Sequence, residues 1–145
     1  MSQSPNLSAQ FRLDGELSEL PRLAAEVERF CHEESLGDST AFSLNLVLEE
    51  LFANVVTHGG CKGMNDAVTV RLRRDRADAL ALEFADRGAP FDPSTAPAPD
   101  LAAPLAERQA GGLGLHFIRT LASIVQYRRD GGWNRLELRL PVEPL

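Results

Sequence analysis

Between Ser43 and Gly60 the apolar residues Leu44, Val47, Leu48, Leu51, Phe52 and Val55 recur at i, i+3, i+4, i+7, i+8 and i+11, the repeat of one face of an α-helix. A stripe of that length must be buried, so the run predicts a core helix with the other elements packed around it. Asp38, Ser39 and Thr40 offer N-caps, and Gly59-Gly60 offers the residue for a left-handed C-cap. Glu50 and Asn54, one turn apart, project together along one edge of the stripe, and Glu49 projects along the other. His58 projects onto the apolar side and is expected in the core or at its boundary.

Glu50 and Asn54 allow two readings. They form an ordinary solvated pair at the core boundary, or they address a ligand carrying a metal and a reacting group. An amide oxygen is a hard, neutral donor suited to Mg²⁺, which prefers oxygen and keeps waters and substrate phosphates as partners. A carboxylate one turn away is placed to accept a proton from an incoming hydroxyl or water.

The rest of the chain supplies the partners for that helix. Residues 8 to 13 alternate as a short strand ending at Asp14-Gly15. A helix follows, capped by Ser18, with Pro21 in its first turn and Leu20, Leu23, Ala24, Val27, Phe30 and Cys31 as its apolar face through to about His32. After Gly63 the period changes to two. Val68, Val70 and Leu72, then Leu80, Leu82 and Phe84, alternate with polar or small residues around a turn at Asp75-Arg76-Ala77-Asp78, which predicts an antiparallel hairpin whose arginines form its wet face. A second hairpin pairs Ile124–Arg129 with Arg135–Leu140 across Asp130-Gly131-Gly132-Trp133-Asn134, and Pro141 stops the last strand.

The chain's 145 residues suit one domain with a sizeable core. A formal charge of −6 argues against a nucleic-acid binder, which would show a basic face. No window has the length of apolar sequence that a membrane span needs, and Met1-Ser2-Gln3-Ser4-Pro5 has no signal-peptide pattern, so a cytoplasmic location is expected. Cys31 and Cys61 lie in no metal spacing, and Cys31 reads as a buried free thiol.

Two further stretches carry chemistry. Asp86-Arg87-Gly88 follows the second strand of the hairpin. A carboxylate there accepts from the edge of a flat ligand, and a glycine two residues later lets backbone pass close; a plain turn is the alternative. Five of the nine prolines then fall between Pro90 and Pro104, and a loop of this kind inside a compact domain tends to be a lid or binding loop. It ends at Gly111-Gly112-Leu113-Gly114, ahead of Leu115, Ile118, Leu121, Ala122 and Val125 at helical spacing. Glycines leading into a helix present unpaired N–H groups, and the dipole there favours phosphate. Neither the P-loop nor the dinucleotide pattern is present.

In this order, Glu50-x-x-x-Asn54, Asp86-x-Gly88 and Gly112-x-Gly114 resemble the N, G1 and G2 boxes of the GHKL ATPase and kinase superfamily. Within it the chain most resembles the small anti-sigma factor serine/threonine kinases, over nearly its whole length. The resemblance implies an α/β (α+β) two-layer sandwich, with helices on one face of a mixed, mostly antiparallel sheet, as a single ATP-binding domain over residues 1–145 with a lid at about 90–113. It implies ATP and Mg²⁺ as cofactors, Glu50 as general base, Asn54 as Mg²⁺ ligand, Asp86 as acceptor of the adenine amino group and Gly88 as the close-approach glycine. Gly112 and Gly114, with Gly111 assisting, face the phosphates, and Arg108 corresponds to a lid arginine whose spacing to the glycines is not secure.

Two departures stand out. Pro90 occupies a further glycine position of the broader G1 pattern, and the strand from Asn134 to Leu140 lacks the Thr or Ser that many relatives place near the adenine. With no room for a helical segment bearing a phosphoacceptor histidine, the acceptor is expected on another protein. The implied function is therefore a serine/threonine kinase that sequesters a sigma factor and phosphorylates a small anti-anti-sigma (STAS-type) partner. Homodimer formation stays open, and neither nucleic acid nor membrane is implied. The alternatives are a non-catalytic nucleotide-binding module acting by contact, bare ATP hydrolysis, and a domain with no nucleotide site.

Overall fold

A computed structural model describes residues 8–76, 78–93 and 118–142. In chain order these form β1 (Ser8–Leu13), a 3-10 turn (Leu17–Glu19), α1 (Leu20–Glu33), α2 (Asp38–Thr57), β2 (Val68–Arg76), β3 (Ala79–Asp86), β4 (Ser123–Asp130) and β5 (Trp133–Pro141). The sheet runs β1-β2-β3-β5-β4. The expected two-layer sandwich is present, and its sheet is antiparallel in every described pairing. Because β5 lies between β3 and β4, the centre of the sheet joins strands distant in sequence, and their register sets Asp86 directly opposite Asn134.

The alternation read from the sequence decides which side chains meet. Leu136, Leu138 and Leu140 of β5, with Leu80, Leu82 and Phe84 of β3, point to one side and are buried. Against them pack Leu23, Val27 and Phe30 of α1 and Leu44, Val47, Leu48, Leu51 and Phe52 of α2, all in one apolar cluster with Ile118. Removing each such side chain from water contributes roughly 1.5–3 kcal/mol, so the long helix is held chiefly by its stripe. The opposite face of the sheet carries the arginines, as expected, but they are paired. Arg71 meets Glu83 at 3.8 Å, and Asp75 is shared by Arg73 at 2.9 Å and Arg139 at 3.0 Å. Arg74 points the other way and donates to the Glu34 carbonyl at the end of α1 at 2.9 Å.

The helix caps differ from expectation. Ser18 lies inside the 3-10 turn, and Glu19 precedes α1 without a side-chain cap; its carboxylate instead accepts from the Asp14 N–H at 2.9 Å, tying α1 to the end of β1. For α2 the N-cap is Gly37, in extended conformation, while Asp38 enters the first turn, where its charge suits the helix dipole.

Chain ends and turns shift as well. Val56 is buried at the last turn of α2 and Val55 only half-buried, because the chain folds back there and the N–H groups of Gly59 and Cys61 reach the Val55 carbonyl at 3.1 and 3.2 Å. His58, expected at the apolar side, sits past the helix end and is exposed. The left-handed residue is Gly60, with φ 86°. β2 runs on through Arg76, shortening the first hairpin turn, and β5 includes Pro141, paired with Ala79. Val125 belongs to β4 at a bulge and is 51% exposed, since helix ends at residue 121.

Phe52 is fully buried between the layers. Phe52→Ala is expected to lower the free energy of unfolding by about 3–5 kcal/mol, read as a reduced denaturation midpoint in urea.

Candidate functional site

At the end of β3 the side chain of Asp86 follows Leu82 and Phe84 onto the core side and is 6% exposed. A buried carboxylate needs donors, and it has two. Its Oδ1 accepts from the Gly88 N–H at 2.9 Å, closing an Asx turn, and from Nδ2 of Asn134 at 3.0 Å. Oδ2 takes no hydrogen bond from any described residue. Burial pushes the Asp86 carboxyl above the usual carboxylate range, offset by the Asn134 and Gly88 donors and by the charge of Arg129. Cys61, buried nearby, is likewise raised, first by its own burial and then by the Asp86 charge.

Gly88 is a glycine of necessity. A Cβ there would stand 2.3 Å from the Gly59 carbonyl oxygen and 2.9 Å from Oδ1 of Asp86. That approach lets Ala89 donate to the Gly59 carbonyl at 2.9 Å, so the loop leaving β3 crosses the end of α2. Arg129 of β4 donates to the Gly88 carbonyl at 2.7 Å. The plain-turn reading of Asp86-x-Gly88 does not account for this: the loop is bonded to three other elements.

Glu50 and Asn54 lie on α2 one turn apart, both half-buried, with an axial separation of about 6 Å. Asn54 belongs to the turn whose end meets the loop, since its carbonyl accepts from Gly59 at 3.1 Å. The fold thus brings Asp86, Gly88 and the last turns of α2 to one edge of the core. Arg108, Gly111, Gly112 and Gly114 lie outside the described residues, as does most of the stretch at about 90–113.

Asn134 was missed as a site residue: the sequence places it in the hairpin turn, at the start of a strand that lacks Thr or Ser. It is 5% exposed and saturated. Besides Asp86, its Nδ2 donates to the Ala89 carbonyl at 2.8 Å, while its Oδ1 accepts from the Tyr127 hydroxyl at 2.5 Å and, at 3.4 Å, from the Phe91 N–H. The signal lay in Gly131-Gly132: a turn of only those two residues puts Asn134 inside β5, in line with Leu136 and Leu138.

The residues present fit a nucleotide better than a resident metal. The free oxygen of Asp86 beside a glycine cradle suits the donor edge of a flat base. Among the described residues no group of three His, Cys, Asp or Glu side chains could hold a metal.

This architecture and site define a class. The histidine kinase-like ATPase domain family matches residues 13–140, and the chain belongs to that family. Among named proteins it is 38% identical over 97 residues to the serine/threonine-protein kinase BtrW of Bordetella bronchiseptica, covering 67% of this chain and 68% of that one. Its fold matches the RsbU and RsbW domains of Rv1364c from Mycobacterium tuberculosis, with TM-score 0.64 at 14% identity over 95% of this chain. It also matches the blue-light activated histidine kinase EL346 of Erythrobacter litoralis, with TM-score 0.53 at 16% identity over 86%. The chain spans 33% and 41% of the lengths of those two solved structures. No described helix is long and apolar enough to cross a membrane.

Burial raises the Asp86 carboxyl, so the folded protein holds a proton more tightly than the unfolded chain, and stability falls as pH rises between the two values. Asn at this position keeps the Oδ1 acceptor without the buried charge. Asp86→Asn is expected to melt higher than wild type at pH 7, the gap closing as pH falls towards the unfolded value of about 3.9, as thermal denaturation across pH will show.

Proposed function

We propose that the protein is an ATP-dependent serine/threonine kinase of the anti-sigma type, acting in the cytoplasm on a hydroxyl of a small anti-anti-sigma (STAS-type) partner and sequestering a sigma factor. The observation that carries this reading is the convergence of Asp86, Gly88 and the end of α2, the helix bearing Glu50 and Asn54. Membership of the histidine kinase-like ATPase domain family and 38% identity to a protein named a serine/threonine kinase support it.

In this proposal residues 1–145 act as one domain. Asp86 accepts the amino group of adenine through Oδ2, and Gly88 lets the loop lie against the ring. Asn54 would hold Mg²⁺ through its amide oxygen, a hard donor suited to that ion. When bound, Mg·ATP supplies the γ-phosphoryl group with its charge partly neutralised. Glu50 would take the proton from the partner's Ser or Thr hydroxyl as that oxygen bonds to the γ-phosphorus and the bond to the bridging oxygen breaks, with ADP as the leaving group. Gly111, Gly112 and Gly114 face the phosphates through backbone N–H groups, with Arg108 and the stretch at about 90–113 as the lid.

Purified protein incubated with labelled ATP, Mg²⁺ and a STAS-type partner is expected to transfer label to that partner. Glu50→Ala should lower transfer by about 10²–10⁴-fold while leaving ATP affinity, measured by calorimetry, nearly unchanged. Asp86→Asn should weaken ATP binding. Tight nucleotide binding without label on any partner would support the contact-only module instead, and transfer surviving in Glu50→Ala would remove its role as base.

A further inference from the structure

We infer that Asn134 is the positioning residue that makes this site selective for a purine carrying a 6-amino group in place of a 6-oxo group. The inference rests on the nucleotide reading above and deepens it.

The hydrogen-bond pattern fixes the Asn134 amide in one orientation. The Phe91 N–H can only donate and the Ala89 carbonyl can only accept, so the oxygen must face Phe91 and Tyr127, and the nitrogen must face Ala89 and Asp86. Both nitrogen hydrogens are then spent, and Asn134 has none left for a ligand. Its effect is on Asp86. With Gly88, it occupies Oδ1 twice and favours the ionised carboxylate against the pull of burial, in which form Oδ2 is a pure acceptor. A pure acceptor pairs with an amino N–H and repels a carbonyl oxygen at the same place, as guanine or hypoxanthine would present. Were the Asn134 donor removed, Asp86 would take up a proton more readily and could then donate to such a carbonyl. The Tyr127 hydroxyl serves as the lock on the amide, because losing it frees one side of Oδ1.

The test compares ATP, inosine triphosphate and inorganic tripolyphosphate by calorimetry on wild type, Asn134→Ala and Tyr127→Phe. Wild type is expected to prefer ATP over inosine triphosphate. That ratio should fall at least about tenfold in Asn134→Ala and by a few-fold in Tyr127→Phe, the scale of a hydrogen bond to a charged group, with tripolyphosphate affinity unchanged in both. A parallel fall for all three ligands would mean a merely structural role and overturn the inference. So would an unchanged ratio in Tyr127→Phe, the variant that keeps its ring and stays folded should Asn134→Ala not fold. If wild type binds none of the three, the nucleotide reading itself fails, a result distinct from either.

Discussion

The bond from the Ala89 N–H to the Gly59 carbonyl, 2.9 Å long, ties the end of the long helix to the end of the central strand, and the site depends on it. It forms only because Gly88 has no side chain to strike that same oxygen. The helix side of the joint is braced in turn. Gly15, just past β1, donates to the Met64 carbonyl at 2.8 Å and accepts from Gly63 at 2.9 Å, while Oδ1 of Asp14 accepts from the Asp66 N–H at 2.8 Å. A Cβ on Gly15 would fall 1.7 Å from the Cys61 carbonyl oxygen, so the loop after α2 is clamped by contacts between main chains. Packing of the apolar stripe fixes α2, and backbone contacts carry that rigidity to Asp86.

The same region holds a cost. A carboxylate raised by burial, with one oxygen unpaired among the described residues, works against stability, and the fold offsets it with a saturated amide, the Gly88 N–H and an arginine from a third strand. On the far face of the sheet charge is handled differently: Arg139 and Arg73 share Asp75, all three half-buried at the surface, where ion pairs contribute modestly. Charge on one face of the sheet is therefore a surface matter, and on the other it is buried and held by hydrogen bonds.

What the sequence disclosed follows from which interactions are periodic. The stripe from Leu44 to Phe52 and the alternation through Val68–Leu72 and Leu136–Leu140 repeat, so helix, hairpins and core were legible, and β1 was placed at its observed bounds. Asp86 and Gly88 were legible because a carboxylate and a glycine two apart at a strand end are a local pattern. Asn134 was not, since its partners are Asp86, Ala89, Phe91 and Tyr127, and three of those are more than forty residues away. The caps failed for a related reason. Glu19 turned to Asp14 instead of its own helix, and Gly37 took the place expected of a hydroxyl or carboxylate side chain.

Gly131 and Gly132, with φ 57° and 87°, form a bend of the handedness that matches strand twist, and this ties chemistry to arithmetic. Each added or lost residue turns every following side chain to the other side of the sheet. A single deletion there would send Asn134 out among the arginines and bring Arg135 in beside Asp86. In descendants of this chain the spacing between Tyr127 and Asn134 can drift only in even steps.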